Sequence, residues 1–181
     1  MLPAMTSPAA PLARDFMQQA WVVDDLESAM RAWIATCSVG PFFVLEHVPM
    51  TDLRYRGRPA ELDCTIALAQ AGRTQIELIV QHCDNASVYR DLIPKGSSGF
   101  HHMAVICDRY DLDLQHYLGA GFAIATSGSF GDTRFAYVDT CAVLGCAIEL
   151  LEARESILDH FRMIADAAAD WDGSDPIRPA F

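Results

Sequence analysis

A chain of 181 residues, 51% of them hydrophobic, is long enough for one compact domain or two small fused modules. Its formal net charge of -11 and its single lysine, Lys95, exclude nucleic acid and anionic membrane surfaces as expected partners, because both need clustered cations. No apolar run approaches the ~20 residues needed to cross a bilayer, so no membrane span is expected.

Met1 to Arg14 carries Pro3, Pro8 and Pro11 without a basic leader or a continuous apolar core, which reads as a flexible arm over 1–14 rather than a signal peptide. Residues 16–23 alternate as a strand, and Asp24 or Asp25 can cap a helix running to about Thr36. Gly40-Pro41 turns the chain into a strand from Phe42 to Val48. A hairpin over 54–59 holds the only local basic cluster, Arg54, Arg56 and Arg58, which is either solvated or placed to greet an anionic substrate group. Strands at roughly 61–70 and 74–81 complete a first unit over 15–82, ordered strand, helix, three strands.

The stretch 83–98 has linker chemistry, with Asn85, Pro94, Gly96, Ser97 and Ser98, around a short helix at Val88–Leu92. The order then recurs over 99–152: a strand at 100–107, a helix at 110–118, and strands near 121–127, 133–138 and 144–151. A helix from about Arg154 to Ala169 and an acidic, proline-containing tail fill 153–181. The fold class expected is α+β, with two paired β-α-β-β-β modules in one domain and a C-terminal helix. Cys37, Cys64, Cys83, Cys107, Cys141 and Cys146 show no Cys-x-x-Cys spacing, and several sit in apolar strands. Buried thiols in a reducing cytoplasm fit that pattern better than a disulfide framework or a zinc ribbon.

The repeat is visible in the residues themselves. Gln18-Gln19-Ala20-Trp21-Val22-Val23-Asp24-Asp25-Leu26 is a polar opener, an apolar run and an acidic turn. His102-Met103-Ala104-Val105-Ile106-Cys107-Asp108-Arg109-Tyr110 repeats that order 84 residues later. Each unit also reaches an apolar strand interrupted by one carboxylate, Ile76-Glu77-Leu78-Ile79 in the first and Ile148-Glu149-Leu150-Leu151 in the second. Strand alternation puts Gln18 with Ala20 and Val22, Glu77 with Gln75 and Ile79, His102 with Ala104 and Ile106, and Glu149 with Ala147 and Leu151. His101 points the opposite way from His102, so at most one of them lines a given pocket.

Taken singly, Glu77 reads as a solvent-facing residue of a half-exposed strand, and His102 as a hydrogen-bonded structural histidine. Taken together, the four occupy equivalent places in two repeated units. A pseudo-twofold packing would converge Gln18, Glu77, His102 and Glu149 on one point. Glu149 between Ala147 and Leu151 would be costly there unless a proton or an ion neutralised it.

These motifs, with Gly99-Phe100-His101-His102-Met103-Ala104, resemble the vicinal oxygen chelate superfamily, which includes glyoxalase I, methylmalonyl-CoA epimerase, extradiol dioxygenases and bleomycin-resistance proteins. The resemblance covers most of 16–152. It implies sheets that curl around a central cleft, and one divalent metal ion, zinc, nickel, cobalt, manganese or iron, held by Gln18, Glu77, His102 and Glu149. It further implies proton abstraction next to a metal-bound carbonyl, by Glu149 as first candidate base and Glu77 as second, in a lyase, isomerase or epimerase. The partners it implies are a small-molecule substrate with a carbonyl or vicinal oxygens and a second copy in a homodimer. Phe42, Phe43, Phe130, Phe135 and Tyr137 either line an apolar substrate pocket or belong to the core. Two other readings stand beside this one: a metal-free small-molecule-binding protein of the same fold, and an iron-dependent extradiol-type dioxygenase, which would need a second histidine that Gln18 and Glu77 do not supply.

Overall fold

The computed structural model describes residues 15–180; the arm expected over 1–14 and the final Phe181 lie outside the described residues. Strand β1 (Phe16–Val22) leads to helix α1 (Leu26–Cys37), and Asp25 is the cap, its carboxylate accepting the Ser28 N–H at 3.0 Å. Strand β2 (Phe42–Leu45) ends three residues before the expected Val48, and two residues on His47 turns the chain in a left-handed conformation with φ 49°. The hairpin of β3 (Met50–Tyr55) and β4 (Arg58–Pro59) closes on Arg56 and Gly57, both at positive φ, as a two-residue turn matched to strand twist requires. Arg56 pairs with Asp91 at 2.7 Å and Asp139 at 3.3 Å, so it pins the hairpin to the protein rather than facing a substrate.

Strands β5 (Cys64–Ala71) and β6 (Thr74–Gln81) end the first unit. Helix α2 (Val88–Leu92) stands where the linker residues indicate, with the Ser87 hydroxyl accepting the Arg90 N–H. The second unit holds β7 (Gly99–Cys107), α3 (Tyr110–Gly119), β8 (Ile124–Phe130), β9 (Thr133–Val138), a single turn α4 (Cys141–Leu144) and β10 (Ala147–Glu152). Helix α5 (Glu155–Ala169) and a short β11 (Ile177–Pro179) follow. The six cysteines are free thiols, of which Cys64, Cys107 and Cys146 are buried as expected, whereas Cys83 and Cys141 are half-buried and Cys37 is exposed. No helix of the described residues is long and apolar enough to cross a membrane.

The strands form one mixed sheet in the order β11-β2-β5-β6-β1-β7-β10-β9-β8-β3-β4. Each unit contributes the same core: β1 pairs parallel with β6, β7 pairs parallel with β10, and the two first strands join antiparallel at the centre. The architecture is therefore the expected α+β pair of units, joined within one chain. Sequence reading missed two strands. β3 crosses from the first unit to extend the second at β8, and β11 adds the C-terminal tail to the edge at β2.

Alternation sorts the side chains into three apolar layers. Ile76, Leu78 and Val23 pack under α1 with Met30 and Trp33. Ile148, Leu150 and Val105 pack under α3 with Tyr110 and Tyr117. The opposite faces of both units meet in a shared layer of Ala20, Val22, Ile79, Tyr89, Phe135, Tyr137 and Ala147. Residues from strands far apart in the sheet, such as Leu45 on β2 and Phe130 on β8, line one cavity, so the sheet is curled. Helix α5 closes that cavity with Ile157, Phe161 and Ile164. The tail is seated by Trp171, whose ring lies against Gly40 so closely that a Cβ there would stand 2.6 Å from it.

Candidate functional site

The register of the two parallel pairs shows why the predicted residues meet. Gln18 lies opposite Gln75 and Ala20 opposite Glu77; in the second unit His102 lies opposite Ala147 and Ala104 opposite Glu149. Gln18 and His102 are thus equivalent, as are Glu77 and Glu149, and the antiparallel join of β1 to β7 turns all four toward the curled face. All four are buried, with exposures of 2% for Gln18, 7% for Glu77, 0% for His102 and 6% for Glu149.

His102 Nε2 stands 3.2 Å from Glu77 Oε2 and 3.2 Å from Glu149 Oε2. Donors bound about 2.1 Å from one ion sit roughly 3.0–3.4 Å apart in tetrahedral or octahedral geometry, so this spacing suits a shared cation. Neither Glu77 Oε2 nor His102 Nε2 has a hydrogen-bond partner, although they lie at ion-pair distance. Gln18 Oε1 is also buried without a partner, its amide Nε2 being donated to Gln75 Oε1 at 2.6 Å. Of the five buried side-chain N or O atoms without a partner among the described residues, three belong to this set. Buried polar atoms are nearly always satisfied, so three unpaired atoms within one buried set make it a candidate ligand site. Two carboxylates, one imidazole and one amide oxygen are a hard, oxygen-rich donor set that fits a divalent ion.

The electrostatics agree. Burial alone would push the His102 imidazole down, but its contacts with Glu149 and Glu77 and their charges outweigh it and hold it at about 9. Burial pushes the Glu77 carboxyl up, against the contact and charge of His102. The His102 imidazolium places one positive charge between the two glutamate side chains.

His101 lies outside the cavity lining, yet it is not simply turned away. Ala20 pairs with His102 and Trp21 with Phe100, which leaves His101 as the extra residue of a β-bulge. The bulge swings its ring behind His102, with 2.9 Å between the two Nδ1 atoms, and its Nε2 reaches the Val88 carbonyl at 3.0 Å. The carbonyl can only accept, so His101 Nε2 donates. Burial and the neighbouring His102 push His101 down to about 3, so it is neutral and its Nδ1 accepts from His102 Nδ1–H. His102, held at about 9, carries its second proton on Nε2 toward the two glutamates, and a bound metal ion would take that proton's place.

Tyr89 and Tyr137 stand beside the cluster, their hydroxyls 3.2 Å apart and the Tyr137 ring centred 5.0 Å from that of His102. Burial first, then the nearby glutamate charges among other neighbours, pushes both phenols well above their usual range, so both remain donors. Tyr137 is among the aromatics singled out in the sequence. Tyr89 is not, because it sits in the linker, and only the helix signal at Val88–Leu92 marked the segment. Of the other aromatics, Phe43, Phe130 and Phe135 line the cavity while Phe42 is core.

The cavity measures about 110 Å³ and its polar floor is Gln18, Glu77, Glu149 and the two tyrosines. Its wall is Phe43, Leu45, Val48, Met50 and Ile66 on one side and Phe130, Phe135 and Leu151 on the other, under α5. No lysine or arginine lines it.

This arrangement belongs to a family. Residues 17–137, about two thirds of the chain, match the model of the Glyoxalase/Bleomycin resistance protein/Dioxygenase superfamily, and the chain is a member of it, the vicinal oxygen chelate superfamily. The fold is similar to that of hypothetical protein BH1468 from Bacillus halodurans C-125, at 17% identity over 80% of this chain and 97% of that one, with a TM-score of 0.57. It is similar also to methylmalonyl-CoA epimerase from Mycobacterium tuberculosis, at 15% identity over 86% of this chain and 99% of that one, with a TM-score of 0.54. No curated protein matches the chain.

Proposed function

We propose that this protein is a divalent-metal-dependent isomerase, epimerase or lyase that removes a proton next to a carbonyl of a small, largely apolar substrate. The observation that carries the reading is the buried convergence of Glu77, His102, Glu149 and Gln18 with three of their polar atoms unsatisfied. A divalent ion held by these four residues supplies a Lewis acid that draws negative charge onto a substrate oxygen.

The chain's own groups do the rest. Glu149 is the first candidate base and Glu77 the second, because each reaches the cavity floor as a carboxylate beside which a substrate carbon can sit. His102 stays fixed by His101 and serves as an anchor. The Tyr89–Tyr137 pair offers a neutral O–H donor to a developing oxyanion. The wall of Phe43, Phe130, Phe135 and Phe161 makes the surroundings apolar, which strengthens each of these interactions.

Size and charge narrow the substrate. A cavity of about 110 Å³ takes a ring or a short branched acyl group, and a wall with no lysine or arginine offers little, His160 apart, to a phosphate or a peptide carboxylate. A compact ketone, keto acid ester or ring-bearing carbonyl compound suits it better than a coenzyme A or glutathione conjugate.

The test is solvent exchange of the α-proton, followed by NMR in deuterated water with metal-loaded protein and a panel of such carbonyl compounds. Exchange with at least one of them, slowed about 10²–10⁴-fold by Glu149→Gln, is the expected result. A second reading, a metal-free binding protein, is favoured by the same aromatic wall; tight binding of a ring compound with no exchange and no need for metal would establish it instead. A homodimer in a reducing cytoplasm completes the proposal, motivated by the apolar Leu112, Leu118, Val143 and Leu144 exposed on α3 and α4. Sedimentation at a dimer's mass is expected, and a monomer at all concentrations would remove that part.

A further inference from the structure

A second group of ligating side chains converges outside the lining of the central cavity. His47, Asp63 and His82 each offer a donor atom, and these atoms all lie within 4.8 Å of one another. They come from three segments: His47 just after β2, Asp63 just before β5 and His82 just after β6. The sheet forces them together. β2 runs antiparallel to β5 with Leu45 opposite Ile66, and β5 runs antiparallel to β6 with Cys64 opposite Gln81, so the end of β2, the start of β5 and the end of β6 share one edge.

The geometry there is built rather than loose. His47 Nδ1 lies 2.7 Å from Asp63 Oδ1, and His82 Nε2 lies 2.8 Å from Thr65 Oγ1. The two imidazoles face each other with ring centroids 5.1 Å apart. The His47 N–H is held by the same Thr65 hydroxyl at 3.3 Å, which fixes the left-handed turn that points the ring at Asp63.

We propose that His47, Asp63 and His82 form a second metal site, open to solvent and selective for a divalent transition ion such as zinc, nickel or copper(II). Two imidazole nitrogens and one carboxylate oxygen favour such an ion over magnesium or calcium, which prefer all-oxygen sites. Closing a set of donors from within 4.8 Å to the roughly 3.0–3.4 Å of a coordinated triad needs only small side-chain rotations. The His47 side chain is 68% exposed, which leaves it room to turn. Three protein ligands leave the remaining positions to water.

The position gives the ion a purpose. His47 and Asp63 are the two feet of the arm that carries β3 and β4 across to β8, and Val48 and Met50 of that arm form part of the cavity wall. His82 begins the linker to the second unit. An ion bound by all three clamps both crossings where they leave the first unit's sheet. The proposal is independent of the chemistry assigned to the central cavity.

The test is zinc titration of chelator-stripped, tag-free full-length protein by isothermal calorimetry, comparing wild type with the His47→Ala/His82→Ala double variant and with His47→Gln alone. The expected result is one zinc equivalent fewer in the double variant, at least tenfold weaker binding of that equivalent in His47→Gln, and a zinc-induced rise in melting temperature that shrinks in both. The comparison is a difference between proteins that share the central cavity, so it holds whether or not that cavity binds zinc. Melting curves recorded without zinc check that the exposed substitutions leave the fold intact, and His47→Gln alone decides the matter if the double variant does not fold. Equal zinc stoichiometry and affinity in wild type and His47→Gln would overturn the proposal.

Discussion

At the scale of single residues, the site depends on a chain of fixed protons. Val88 accepts from His101, His101 accepts from His102, and His102 is left with its Nε2 turned toward two carboxylates. Partners of this kind hold a ligand's tautomer and ring angle, and their loss typically costs about 10–100-fold in metal affinity. His101→Ala should therefore weaken metal binding by about that factor while leaving Glu77, Glu149 and Gln18 in place. Calorimetric titration of the variant with zinc or nickel checks it; unchanged affinity would show that His102 is oriented by packing alone. This relay was not legible in the sequence. Strict strand alternation sends His101 away from His102, and only the bulge between β1 and β7 reverses that, a feature set by pairing across 80 or so residues of chain. The four candidate ligands were legible because each repeats in an equivalent strand position, and register carries equivalence into space.

At the scale of elements, the second unit is braced on the face opposite the cavity. Arg134 on β9 grips Glu152 at the end of β10 through two hydrogen bonds of 2.9 Å and reaches Asp111 on α3 at 3.0 Å. The guanidinium contact holds the Glu152 carboxyl down at about 2 from an ordinary value of 4.5. A depressed carboxyl stabilises the folded state fully above its unfolded value, and the stabilisation is lost as pH falls from about 4.5 through about 2. Arg134→Met should thus cost about 1–2 kcal/mol at pH 7, after allowing for the half-exposed guanidinium, and progressively less toward pH 2. Urea unfolding of both proteins across that range measures it, and a pH-independent difference would mean that lost packing, not charge, is responsible. Local signals located most elements: α1 from its aspartate cap, α2 as a short helix within the linker, β6 over its full length. They were silent on β3 as part of the second unit's sheet and on β11, because both exist only through partners distant in sequence.

At the scale of the molecule, two copies of one plan are joined through their first strands, and everything not repeated serves the cavity. The arm bearing β3 extends one wall, α5 caps the opening, and β11 with Trp171 ties the C-terminal tail to the first unit's edge. The paired units were readable from composition order alone. The cap was not, since the amphipathic pattern of α5 fixes a buried face without saying what that face covers. A symmetrical cup built from paired units places two equivalent carboxylates and two equivalent amide or imidazole groups at its axis, where each would be costly alone. A proton on His102 already supplies one positive charge there, and the proposed metal ion would take its place.

The most direct test is metal content. Tag-free protein carrying His47→Ala and His82→Ala, dialysed in turn against zinc, nickel, cobalt, manganese and iron(II), would be compared by elemental analysis with the same protein carrying Glu149→Gln as well. About one equivalent of at least one metal, bound 10-fold or more weakly once Glu149 is replaced, is the predicted result. Protein that folds, yet retains none of the five metals, would contradict the metal centre and leave the apolar cavity as a binding pocket in its own right.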